Sequence, residues 1–108
     1  VVLDETLLGV AGAASDPDNP NLERHKKQFE FACQVTRRAR EMGVAVAAGT
    51  DGIGGSSPNL HAELQLLVKK SGFTPLEAIT AATLNGAKAI GIEKDYGTLE
   101  TGKVADIV

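Results

Sequence analysis

The sequence predicts an α/β fold with parallel strands. Three observations carry that prediction. Val44–Ala48 (VAVAA) is a short run with no polar face, the pattern of a parallel strand covered on both sides. Val1–Leu8 (VVLDETLL) reads as a second buried strand, with Asp4 and Thr6 near its end. Between the two lies a long segment whose apolar residues recur at helical spacing. A strand–helix–strand unit with the usual right-handed crossover makes its two strands parallel neighbours.

Each element has a local reason. Gly9–Asn21 is expected to be loop, because Gly12, Ser15, Asp16, Pro17, Asp18, Asn19 and Pro20 are turn and breaker residues. Asn21 is placed to cap a helix that runs to Met42. Leu22, Phe29, Ala32, Cys33, Ala39 and Met42 supply its apolar face, and Gly43 is a natural stop. The strand Val44–Ala48 leads into Gly49-Thr50-Asp51 and a Gly- and Ser-rich loop, Gly52–Asn59. A second helix is expected over Leu60–Ser71, with Leu60, Leu64, Leu67 and Val68 on one stripe and Gly72 after it. Thr74-Pro75-Leu76-Glu77 starts a third: a capping Thr, Pro in the first turn, and Glu three residues after the Thr. This helix carries Leu76, Ile79 and Ala82. Asn85-Gly86 is expected to break it before a last short helix, Ala87–Ile90, ended by Gly91. Thr98–Val108 reads as turn and strand, punctuated by Gly97 and Gly102.

Composition narrows the function classes. The chain has 108 residues, 43% hydrophobic and 23% charged, which is globular rather than disordered. A net charge of -3 gives no electrostatic footprint for nucleic acid or an anionic membrane. The basic clusters Lys26-Lys27 and Arg37-Arg38-Arg40 are interspersed with acids, as on a solvated helix face. Tyr96 and three phenylalanines cannot build a nucleic-acid stacking surface. Cys33 is the only cysteine; it reads as a small core residue, and nothing calls for an oxidising compartment. A cytoplasmic location is the expectation. Both ends run through apolar stretches, where a domain usually begins and ends in polar residues. Two parallel strands cannot make a stable sheet alone. The expectation is therefore a piece of a longer chain.

Asp51 is the leading candidate for chemistry. A carboxylate just past the C-terminal end of a buried parallel strand lies where α/β folds place their active sites. It could bind a metal, take a proton from a bound water, or merely cap the next helix. His61 stands in the first turn after the Asp51 loop, near the same rim, and is either a pocket residue or an ordinary polar position. Glu63, two residues on, points about 200° away from His61 on a helix. It is expected to favour the N-terminus of its own helix through the macrodipole. His25 lies in a charged helix face. These residues match no zinc spacing. Gly52-Ile53-Gly54-Gly55-Ser56-Ser57 fits neither a dinucleotide fingerprint nor a P-loop.

Taken together, three segments carry a resemblance: AAGTDG (Ala47–Gly52), HAELQLLVKKSGFTPLEAITAATLNGAKAIGI (His61–Ile92) and GTLETGKVADIV (Gly97–Val108). In this order they resemble the C-terminal part of the amidohydrolase superfamily, and most closely its imidazolonepropionase-like and prolidase-like metal-dependent hydrolases. The resemblance implies a (β/α)8 TIM barrel, of which this chain supplies the C-terminal portion. Val1–Leu8 becomes strand seven, Leu22–Met42 helix seven and Val44–Ala48 strand eight, with closing helices after them. Residues 1–96 are then barrel, and 97–108 start a return strand to a small flanking β-sandwich, with Asp106 structural.

The resemblance also implies a mechanism. The aspartate ending strand eight contacts the catalytic metal and shuttles a proton from the attacking water to the leaving nitrogen. That role falls on Asp51, as metal ligand and general acid/base. His61 is placed at the substrate pocket. One or two divalent metal ions are implied, zinc foremost. Implied partners are a small amide, cyclic amide or dipeptide substrate, and either a homo-oligomer or the remainder of the barrel. No nucleic acid or membrane partner is expected. The His-x-His pair of strand one, the bridging lysine or carboxylate, and the histidines of strands five and six do not occur in this sequence. The alternative is a non-catalytic helical interaction or self-association module derived from a barrel.

Overall fold

The computed structural model describes residues 2–51 and 59–107; the expected Gly- and Ser-rich loop falls almost wholly outside them. The elements in chain order are β1 (Val2–Glu5), α1 (Leu7–Ser15), α2 (Leu22–Glu41), β2 (Ala45–Ala48), α3 (Leu60–Ser71), α4 (Pro75–Ala82) and α5 (Leu84–Ala89). The strands pair in parallel, Val2 opposite Ala45 through Glu5 opposite Ala48. Both predicted strands are therefore present, neighbouring and parallel. The architecture is a helix-rich mixed α/β one.

One prediction fails at α1. Leu7–Ser15 is helix, where the strand was expected to run to Leu8 and loop to follow from Gly9. Gly9 and Gly12 do not break it, because its other residues are mostly Leu, Val and Ala and it packs along α2. The breakers act only at 16–21. There Asn19 does the organising, not Asn21: its side chain donates to Ala13 O at 2.7 Å and accepts the Asn21 N–H at 2.9 Å. Asn21 precedes α2 but makes no side-chain cap.

The middle of the chain follows its sequence closely. Gly43 and Gly72 take positive φ after α2 and α3, the conformation that ends a helix cheaply only at glycine. At α4, Thr74 accepts the Glu77 N–H at 3.2 Å, and Glu77 accepts the Thr74 N–H at 2.7 Å. Arg40 of α2 donates to the same carboxylate at 2.9 Å. The Arg40 hydrogen bond and then the Thr74 N–H lower the Glu77 pKa to about 2.

The C-terminal third departs twice. The break after α4 comes at Thr83, not at Asn85-Gly86, which lie inside α5. Thr83 sits at φ -113, ψ -85, with its hydroxyl on Ile79 O at 2.9 Å. Asn85 is held in the helix by a tertiary contact: its side-chain amide donates to Val46 O at 2.9 Å. Residues 98–107 form turns and irregular backbone, with no strand among them. They are tied instead by the Val104 N–H on Asp95 O (2.9 Å) and by Lys103 Nζ on Glu93 O (2.8 Å). Gly97, at φ +96, lies so close to α5 that a Cβ there would stand 2.9 Å from Leu84 Cα.

The core gathers Leu7, Cys33, Val46, Leu67, Phe73, Ala78 and Ala81. Cys33 is buried, as its neighbours predicted. α4 buries Ala78 and Ala81 and turns Leu76 (72% exposed) and Ile79 (54%) outward. That apolar outer face is unusual for a helix bordered by solvent.

Candidate active-site rim

Parallel pairing that ends at Glu5 and Ala48 puts the C-terminal exits of both strands on one edge of the sheet. β2 earns its burial from Val46 and Ala47, each 2% exposed. Three residues beyond it, Asp51 is exposed. Its φ is +43, and among the described residues it is the one non-glycine with positive φ. Such backbone is uncommon for a side chain other than Asn or Asp and collects at functional turns. Asp51 thus follows a buried strand, with its backbone in the left-handed region.

The capping alternative goes to another residue. Asn59 precedes α3, and its side chain accepts the Ala62 N–H at 3.0 Å. His61 is the second residue of α3 and is exposed. His25 lies elsewhere, on α2, its Nδ1 2.5 Å from Asn19 Nδ2. Among the described residues no three His, Cys, Asp or Glu side chains converge as a metal-holding group. One carboxylate does not hold a catalytic ion by itself, so this donor set does not fit a complete metal site.

Glu63 stands in the first turn of α3, as expected, and has a second role that the sequence did not show. Its side chain is fully buried. Its carboxylate accepts the N–H of Leu7 at 2.8 Å and of Leu8 at 2.7 Å. It therefore caps α1, 55 residues upstream of it, besides standing near the N-terminus of its own helix. A signal was present: position 63 lies three after Leu60 and four before Leu67, on the apolar stripe of α3. A carboxylate on a buried stripe needs partners.

An open cleft of about 500 Å³ runs beside β2, with Ala47, Gly49, Tyr96, Gly97 and Asp106 in its wall. Asp51 is not part of that wall. No helix among the described residues is long and apolar enough to cross a membrane.

A parallel α/β pair presenting an acid at its C-terminal edge defines the general class, an α/β protein with an enzyme-like rim. The Amidohydrolase family profile matches residues 12–108, and the chain belongs to that family. Imidazolonepropionase of Symbiobacterium thermophilum is 45% identical over 74 residues, 67% of this chain and 17% of that protein. Imidazolonepropionase of Serratia proteamaculans is 40% identical over 81 residues, 73% of this chain and 20% of that protein. Among solved structures, A. niger ochratoxinase superposes with a TM-score of 0.80 at 28% identity, over 98% of this chain and 25% of that one. A Xaa-Pro dipeptidase with methionine in its active site gives 0.78 at 28% identity, over 97% and 27%. The α/β structure thus matches amidohydrolase TIM-barrel proteins. The chain spans under a fifth of the first of these relatives and about a quarter of the structures.

Proposed function

We propose that this chain is the C-terminal part of the barrel of a metal-dependent hydrolase acting on carbon–nitrogen bonds. Residues 1–96 supply strands seven and eight with their helices, and 97–108 lead toward a flanking β-sandwich. Asp51 is its working carboxylate, a metal ligand and general acid/base, and His61 lines the substrate side of the rim. Asp51 takes a proton from the attacking water and returns it to the leaving nitrogen. A divalent ion, zinc foremost, supplies the acidified water and polarises the carbonyl when bound. Its remaining ligands come from outside this chain. The relatives' names point to a cyclic amide or dipeptide as substrate; a cytoplasmic location is part of the same proposal.

The observation that carries this reading is Asp51 itself, at positive φ beyond a buried parallel strand, in a chain of this family. Zinc titration and amide hydrolysis on the chain alone test it. Neither stoichiometric binding nor turnover is expected; tight one-to-one zinc binding overturns the fragment account. The coding sequence upstream of Val1 is expected to contain His-x-His on a strand.

The exposed Leu76, Ile79 and Leu99 favour a second reading, a self-associating module. A monomeric mass in solution removes it.

A further inference from the structure

Glu63 is placed at greater cost than a cap requires. Leu7 and Leu8 open α1, and their N–H groups belong to the four donors a helix start leaves without intrahelical partners. A side chain at the N-cap normally serves them. Thr6 stands there and makes no side-chain cap. The donors are met instead by a fully buried carboxylate from α3. Burying a carboxylate is unfavourable unless its hydrogen bonds are well made.

The location explains the expense. Leu7 lies two residues past the end of β1, and α3 is the helix that follows the Asp51 turn. One carboxylate therefore ties the segment leaving the C-terminal end of β1 to α3, the first helix after β2. Two short charge-assisted hydrogen bonds to successive backbone N–H groups also fix direction. We propose that Glu63 is a positioning residue for the rim: it holds the β1–α1 junction against α3, and because β1 and β2 end side by side at Glu5 and Ala48, this fixes the edge from which Asp51 leaves β2. This rests on the reading of Asp51 as the working carboxylate. Glu63 touches no reacting atom in it.

The test compares the complete hydrolase that contains this chain with its E63Q and E63D forms by amide NMR and hydrogen exchange. E63Q keeps the shape and loses the charge; E63D keeps the charge and withdraws it by one carbon. In both, Leu7 and Leu8 are expected to exchange at least about tenfold faster while Phe73 stays protected. The Thr50 and Asp51 resonances are expected to shift with them, more in E63Q than in E63D. A stabilising cap alone would leave Thr50 and Asp51 unmoved, and that result overturns the proposal. Unchanged exchange at Leu7 and Leu8 overturns it as well. If E63Q does not fold, E63D decides by the same two readouts. The Asp51 reading fails separately: a D51N form of the complete hydrolase that keeps its turnover removes that reading and leaves the exchange result standing.

Discussion

Two glutamates cap two helices in this molecule, by opposite means. Glu77 caps α4 from within the helix, half-exposed, three residues from the Thr74 that returns the bond. Glu63 caps α1 from a different helix, fully buried, across more than fifty residues. The first cap exists as soon as the local turn forms. The second exists only when β1, α1 and α3 have come together. A local cap stabilises an element, whereas a remote cap also sets where that element lies.

The largest expected effect comes from breaking the remote cap. Glu63→Ala leaves two N–H groups without their acceptor and opens a void in the core, costing on the order of 3 kcal/mol. Urea denaturation measures this, and α1 should lose protection first. A loss under a third of that size would make the two caps equivalent.

Strain at the rim comes next. Asp51→Val forces a β-branched residue to φ +43 and should cost about 1–2 kcal/mol. Asp51→Gly should stay within about 0.5 kcal/mol of the parent, relief of strain being offset by a more flexible unfolded chain. Equal stabilities for the two variants would mean the turn is not held. Thr74→Ala removes half of the local capping box and should cost about 1 kcal/mol. Thermal melting reads it, and the α1 amides should not respond.

The smallest effect is a pH dependence. The folded Glu77 pKa lies at about 2 against an ordinary 4.5. A depressed carboxylate pKa contributes stability above its unfolded value, and that contribution is lost as pH falls from 4.5 toward 2. Glu77→Gln should flatten this part of the stability curve between those pH values. Solvent around the Arg40–Glu77 pair keeps the contribution small. A curve unchanged by the substitution would show that folding does not lower the Glu77 pKa.

The elements legible in the sequence were those with a local cause. α4 was readable because its cap lies within four consecutive residues. β2 was readable from an unbroken apolar run, and α3 from its stripe and Gly72. The place of Asp51 just past β2 was readable because strand ends are marked by composition. α1 was not legible: two glycines and a following breaker cluster read as loop, and the residue that starts the helix lies on another element. Asn85-Gly86 misled in the same way, since the contact that keeps Asn85 helical goes to Val46 O on β2. The apolar residues of α4 pointed to Leu76 and Ile79 as its important positions, yet packing against the core selected Ala78 and Ala81.

What the sequence determined by itself is the set of elements whose hydrogen bonds and punctuation close over short spans, together with the motif order that marks the family. The tertiary structure decided three things: where α1 begins, which face of α4 is buried, and what Glu63 does. Each depends on a donor, an acceptor or a surface supplied by a distant segment. A buried carboxylate has no stable place until its partners arrive, so its role belongs to the assembled fold and not to the residues beside it.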